Sequence, residues 1–176
     1  ILYDQKNGNE EVVNYLRRFS KLPNVQFWRG LDFNGHFADW KNILTSYCNG
    51  DYIFQIDADE IPNETLLNNL PSILENNPEN EVYLVPRVNT VEGLTQEHIN
   101  KWGWNVNDKG WVNFPDYQWR VWKNLPEIKW KNKVHEVLDG FKTYSALPLD
   151  KGLALYHPKT IDKQEKQNSY YESISN

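Results

Sequence analysis

The sequence predicts an α/β protein: a mixed, mostly parallel sheet with helices on both faces, in a single domain over residues 1–176. Three observations carry that expectation. The chain opens as strand, helix, strand, the unit from which parallel sheets are built. Residues 52–56 (Tyr-Ile-Phe-Gln-Ile) form a short run rich in aromatic and β-branched types, as a strand at the centre of a sheet does. That run ends in the carboxylates Asp57, Asp59 and Glu60, and an amphipathic helix follows. Strand, acidic corner and helix is the arrangement at which open α/β sheets hold ligands.

Taken in order, Ile1-Leu2-Tyr3 reads as a strand tail that delivers Asp4 at its end, and residues 5–9 as a polar loop. Between Glu10 and Phe19, the apolar Val12, Val13, Leu16 and Phe19 share one helical face, with Arg17 and Arg18 near the C-terminal end, where the helix dipole favours cations. Pro23 breaks the path, and residues 25–28 form the second strand. After a loop from Gly30 to Gly35, the residues Phe37, Trp40, Leu44, Tyr47 and Cys48 fit a helix that Asn49-Gly50 stops. Beyond the acidic corner, Asn63 is placed to cap a helix carrying Leu66, Leu67, Leu70, Ile73 and Leu74, with Glu64 in its first turn. Residues 81–88 read as a strand. Periodicity then dissolves over 89–115, a stretch holding Trp102, Trp104 and Trp111 among Gly, Asn and Asp, and a loop of that length is usually functional. Strands follow at 117–122, 128–130, 134–138 and 153–156. Residues 160–174 read as a polar, lysine-rich surface helix with Ile161, Tyr170, Tyr171 and Ile174 as its apolar positions. No repeat or linker interrupts the chain.

Composition narrows the classes. A chain of 176 residues is long enough for one sizeable core. A net charge of -5, from 19 basic and 24 acidic residues, argues against a nucleic-acid partner and a polybasic membrane anchor. No apolar run approaches the ~18 residues of a transmembrane segment, and Asp4 and Lys6 come too early for a secretory signal. The one cysteine, Cys48, excludes an internal disulfide and a zinc-finger-type site and fits a reducing compartment. The expected location is cytoplasmic, at most peripheral to the inner face of a membrane. A chain that starts at Ile1 without any methionine is expected to be a fragment or a processed form. The 8 Trp and 10 Tyr serve either a core or sugar stacking. For any single Trp, packing is favoured by about 3:1, since large aromatics are mostly buried.

In extended backbone Asp57 and Asp59 project to the same side and can face one object. Two carboxylates that close repel unless a cation lies between them, and oxygen ligands suit Mg²⁺ or Mn²⁺. The competing reading is an acidic turn after a strand, since Asp both caps and turns; for a bare Asp-x-Asp that reading stands at roughly even odds or better.

At these residues the chain resembles the family-2-like glycosyltransferases of the GT-A fold. Gly50-Asp51-Tyr52-Ile53 leading to Asp57-Ala58-Asp59-Glu60 is similar to the family's metal-binding segment. Asn42 in Asp39-Trp40-Lys41-Asn42 resembles the basic-residue-plus-Asn pair ahead of the central strand. Pro115-Asp116-Tyr117-Gln118-Trp119-Arg120 followed by Val134-His135-Glu136 resembles the downstream pair of a branch that includes transferases of envelope polysaccharide synthesis. The ordered set spans most of the chain. The chain opens at what is the family's second strand, so the first strand is expected to be absent, and residues 5–9 keep only a loose likeness.

The resemblance implies transfer of a sugar from a nucleotide-sugar donor to a carbohydrate or glycolipid acceptor, metal-assisted and inverting. It implies Asp59 as the direct ligand of Mn²⁺ or Mg²⁺, and Asp57 as a water-mediated ligand or a contact to the ribose or uracil side of the nucleotide. Asp4 falls where the family contacts the nucleobase, and Asn42 joins the substrate-binding set. Glu60 is a substrate contact or a helix-start acid, and Arg120 a phosphate holder or one arm of a buried ion pair. The general base is a carboxylate, Glu136 first and Asp116 second. His135 is a metal ligand or a half-buried polar residue, the latter favoured by about 2:1 for a lone His, and His157 is read the same way. Two rivals remain. An aspartyl-phosphate hydrolase is disfavoured by Ile61 two residues past the second Asp. A non-catalytic carbohydrate-binding or assembly protein on a transferase-like fold would ignore both Mn²⁺ and nucleotide.

Overall fold

The computed structural model describes residues 1–6 and 8–175. Asn7, in the loop after Asp4, and the side chain of Ile174, an apolar position of the last helix, lie outside the described residues. The chain is a mixed α/β protein. In order it runs β1 (Leu2–Asp4), α1 (Glu10–Phe19), β2 (Trp28–Leu31), α2 (Phe37–Ser46), β3 (Tyr52–Phe54), β4 (Ile61–Pro62), α3 (Glu64–Asn76), β5 (Val82–Glu92), α4 (Gln96–Trp102), β6 (Val112–Lys123), β7 (Lys129–Lys131), β8 (Val137–Asp139), β9 (Tyr144–Ala146), a 3₁₀ turn (Lys151–Leu153), β10 (Leu155–Thr160) and α5 (Ile161–Ser175). Among the described residues no helix is long and apolar enough to cross a membrane. Two compact units are present: Ile1–Cys48 with Lys129–Val137, and Asn49–Ile128 with Leu138–Asn176.

In the first unit the expected strand–helix–strand opening is present, with β1 and β2 parallel and Leu2 opposite Trp28. Asn9 caps α1, its Oδ1 accepting from the Val12 amide at 2.9 Å. The helix ends in consecutive turns, Leu22 N–H to the Phe19 carbonyl and Val25 N–H to the Leu22 carbonyl, and these delay the start of β2 to Trp28, the last of the residues expected to form it. The α2 helix starts at His36, whose Nδ1 accepts from the Asp39 amide at 3.2 Å.

The second unit is built on a six-stranded sheet of order β3-β6-β5-β10-β4, with β9 also paired to β5. Here the mostly parallel expectation is corrected. β3–β6, β5–β6 and β10–β4 are antiparallel, and only β10–β5 and β9–β5 are parallel. The reason is the connection after β5. It holds the short α4 but no crossover back to the start of the sheet, so β6 returns antiparallel.

The strand expected at the centre is also displaced. β3 covers only Tyr52–Phe54 and lies at the end of this sheet, with β6 as its one partner there. Its apolar character reports burial of both faces rather than rank in the strand order. Ile53 is buried on one face, while Tyr52 and Phe54 pack against a cluster formed by Leu66 and Leu70 of α3 with Tyr83, Val85, Val121, Leu147 and Leu155. Asn63 does cap α3, accepting from the Thr65 amide at 2.8 Å.

Residues 89–115, expected as loop, are largely ordered elements. β5 continues to Glu92 because β10 runs beside it from Arg87 to Glu92, and pairing overrides the weak strand preference of Asn89. α4 follows, closed at its start by a reciprocal Thr95–His98 capping box and at its end by Gly103 at φ 64°. Pro86, which has no N–H to donate, lies inside this long buried strand for a specific reason. On one edge β9 pairs only Val82–Leu84 and β10 begins at Arg87, so Pro86 falls in the gap between two partners.

Candidate functional site

The acidic corner is a closed turn rather than extended chain. The Glu60 amide donates to the Asp57 carbonyl at 3.0 Å, and the Glu60 carboxylate reaches back to accept from the Asp57 amide at 3.1 Å. Asp57 and Asp59 therefore point at different partners, and the expectation that both face one object does not hold. Asp57 Oδ2 accepts from Arg120 Nη2 at 2.6 Å. Asp59 Oδ2 lies 3.3 Å from His157 Nε2 and 3.2 Å from Lys163 Nζ of α5.

Behind the corner, Glu60 sits between two guanidinium groups. Arg120 donates to it through Nε at 2.8 Å and Nη2 at 2.7 Å, and Arg87 through Nη1 at 2.9 Å. The Glu60 side chain is 0% exposed and that of Arg120 2%. Glu60 is thus neither a helix-start acid at the surface nor an accessible ligand, and Arg120 is the arm of a buried ion pair rather than a free phosphate fork.

Strand alternation assembles the rest. Asp116, Gln118 and Arg120 are every second residue of β6, Arg87 and Asn89 are every second residue of β5, and His157 of β10 is in register with Asn89. Asp116 Oδ2 accepts from Arg87 Nε (2.9 Å), Arg87 Nη2 (2.6 Å) and Asn89 Nδ2 (2.8 Å), and its Oδ1 from Gln118 at 2.7 Å. Asn89 Oδ1 meets His157 Nδ1 at 2.8 Å. One polar chain therefore runs Asp57–Arg120–Glu60–Arg87–Asp116–Asn89–His157–Asp59. The 116/118/120 spacing of polar residues in an otherwise apolar strand is the sequence signal for it. Arg87, Asn89 and Lys163 left no comparable signal, since their partners are long-range.

The electrostatics follow from these contacts. The His157 hydrogen bond chiefly, with help from Lys163 and against partial burial, holds the Asp59 carboxyl far below the usual carboxylate range. Burial alone would raise Asp116, but the Arg87 charge and the bonds from Asn89, Arg87 and Gln118 bring it below that range. Burial lowers Lys159, reinforced by Arg87 and Lys163 and opposed by Asp59 and Glu60.

Among the described residues no group of three or more His, Cys, Asp or Glu is arranged to hold a metal ion. Asp59 and His157 are two candidate donors side by side. Asp59 Oδ2 and His157 Nε2 are 3.3 Å apart, near the ~3 Å edge between adjacent ligands of an octahedral ion with bonds of about 2.1 Å. Mg²⁺-type ions take one or two protein ligands and fill the shell with phosphate and water. The partner of Asp59 is thus His157.

The remaining candidates lie in the first unit. His135 has φ 52° in the segment before β8. Glu136 is ion-paired to Lys41 at 2.6 Å, and the Lys41 ammonium lies 4.5 Å from the centre of the Trp130 ring. Asn42 exchanges two hydrogen bonds with the backbone of Trp130, each 2.9 Å, so its amide ties α2 to β7. Asp4 Oδ1 accepts from the amides of Lys6 and Phe33 at 3.1 and 3.2 Å. Beside β1 lies an open cleft of about 330 Å³ lined by Tyr3, Gln5, Gly8, Asn9, Val13 and Arg17. The Tyr3 ring fills the space that a side chain at Gly8 would need, with its hydroxyl 1.7 Å from where a Cβ would stand. No protein-family model and no curated protein matches this chain.

Proposed function

We propose that the protein transfers a sugar from a nucleotide-sugar donor to a carbohydrate or glycolipid acceptor with inversion, assisted by Mn²⁺ or Mg²⁺, on a GT-A-like fold with helices on both faces of its sheet. The observation that carries this reading is the pair Asp59–His157, two donors at 3.3 Å at the end of the β3 segment, backed by a buried ionic framework. Asp59 and His157 would hold the ion, which would supply positive charge for the leaving diphosphate. Lys163 and Lys159 add positive charge next to it. The framework of Glu60, Arg87, Arg120 and Asp116 keeps the corner rigid, because each charge in it is bound by an opposite one. By the family resemblance, Asp4 at the end of β1 is the proposed contact to the nucleobase. Glu136 is the proposed base, in exchange for its ion pair with Lys41. The proposed setting is the cytoplasm or the inner face of a membrane, and no nucleic acid takes part.

The test is calorimetry of a nucleoside diphosphate with Mn²⁺ and with chelator, followed by a screen of nucleotide sugars for Mn²⁺-dependent turnover. Asp59→Asn should weaken metal-dependent binding. Glu136→Gln should lower kcat and leave nucleotide binding nearly intact, since the lost interaction exists only in the transition state. Equal nucleotide affinity with and without Mn²⁺ would sink the reading.

One observation favours a second reading, a carbohydrate-binding or assembly protein without turnover. Both base candidates are held by cations, Glu136 by Lys41 and Asp116 by Arg87. Saccharide binding that is indifferent to Mn²⁺ and nucleotide would select it.

A further inference from the structure

We propose that an exposed apolar stripe on α1, made of Val12, Tyr15, Phe19 and the following Leu22, seats the protein on a membrane surface that carries anionic phospholipid, with Arg18 and Lys21 beside it at the headgroups. This surface lies in the first unit, and no step of sugar transfer uses it.

The stripe comes from spacing. On a helix, residues three and seven apart fall on one side, and Val12, Tyr15 and Phe19 of α1 are so spaced. The turn after the helix, Leu22 N–H to the Phe19 carbonyl at 3.0 Å, adds Leu22 at the same end. These four residues are between 37% and 57% exposed. The rings of Tyr15 and Phe19 pack together with centroids 5.1 Å apart, so the apolar surface is a joined patch. Single exposed apolar residues are ordinary, whereas a joined patch marks a contact surface. Val13 and Leu16, the other apolar residues of the helix, are only half-buried.

Charge selects the occupant. Glu10 and Glu11 lie in the first turn of α1, whereas Arg17 and Arg18 lie in the last and Lys21 follows. Arg17 donates to Asn14 Oδ1 at 3.0 Å. Arg18 and Lys21 are exposed next to Phe19 and Leu22, so the larger apolar groups and the cations share one end. Long basic side chains can run along an apolar surface and keep their charge at headgroup depth, and Tyr suits the same boundary. Each Lys or Arg near an anionic leaflet strengthens binding about 5-fold. The net charge of -5 does not oppose this contact, since salt screens charges more than about 8 Å away. A second copy of the chain is a poorer occupant. A stripe one helix wide and about 15 Å long covers far less than the ~800 Å² per partner of a stable interface. A membrane sets no such threshold, because binding there grows with the apolar area inserted and the attraction to anionic lipid.

The test is flotation of the full chain with vesicles of phosphatidylcholine alone and of phosphatidylcholine mixed with phosphatidylglycerol, without metal or nucleotide. The chain should float with the mixed vesicles, and less so as salt rises. Phe19→Ser combined with Leu22→Ser should lower the partition coefficient by about 10-fold or more. Arg18→Gln combined with Lys21→Gln should also lower it by about 10-fold or more, on the mixed vesicles only. All four positions are exposed, so circular dichroism should match wild type; if the apolar pair loses helical signal, Tyr15→Ser at the most exposed position of the stripe takes its place. Absence of binding to mixed vesicles, equal binding to both compositions, or binding indifferent to these substitutions would overturn the inference. A dimer in sedimentation velocity that depends on the stripe, without vesicle binding, would overturn it in favour of a second copy. Vesicle binding by a chain that transfers no sugar supports this surface and sinks the transfer reading alone.

Discussion

At the scale of single residues, Glu60 is the position where charge matters most. Its carboxylate is out of reach of water and accepts three guanidinium hydrogen bonds. Neutralising it leaves Arg87 and Arg120 facing each other with less compensation, and breaking a buried pair on one side is strongly destabilising. Glu60→Gln, which keeps the shape, should lower unfolding stability by about 3 kcal/mol in urea titrations. Arg120→Lys should not rescue function, because one ammonium cannot reproduce the planar fork that joins Glu60 to Asp57. The sequence raised the right two roles for Arg120 and had no means of choosing. The choice depends on Glu60 lying under it, a contact between residues sixty positions apart.

At the scale of elements, α3 is the anchor of the sheet. Leu66 is 0% exposed and meets Tyr83, Val85 and Leu155 in one cluster. Leu66→Ala should lower stability by roughly 2–5 kcal/mol, the range for a large-to-small change in a packed core, measured by thermal or urea unfolding. This helix was legible because its apolar spacing, its Asn63 cap and its first-turn Glu64 all agree. Most strands were legible as positions but not as neighbours. Nothing in residues 52–56 distinguishes a strand buried by a helix from one buried between strands, so its rank in the sheet was misread. β9 and β4 were missed because they are short and owe their conformation to β5 and β10. In the acidic corner the residues were found and their partners were not. His135 and His157 were read alike, and nothing in the sequence singled out His157, which stands beside Asp59 because β10 pairs with β5.

At the scale of the molecule, the polar chain gives the fold a characteristic response to acid. Asp59 and Asp116 both have carboxyls depressed in the folded state. Between the depressed value and the ordinary one, near 3.9, the unfolded chain binds more protons than the folded one, so stability rises with pH through that window. The contribution is present in full above the ordinary carboxylate range and is lost as pH falls through the depressed values. Urea midpoints should therefore drop steeply below about pH 4. Asp116→Asn should flatten part of that slope while lowering stability at neutral pH; an unchanged slope would show that Asp116 titrates alike in both states. The break at Pro86 has a consequence of another kind. Because β9 and β10 line the same edge of β5 without sharing a ladder, either can detach while the other stays. Amide protons of Tyr144–Ala146 should then exchange with deuterium by a small local opening, well ahead of those of Leu155–Thr160, and the protection map of this edge should show two steps where an unbroken strand would show one.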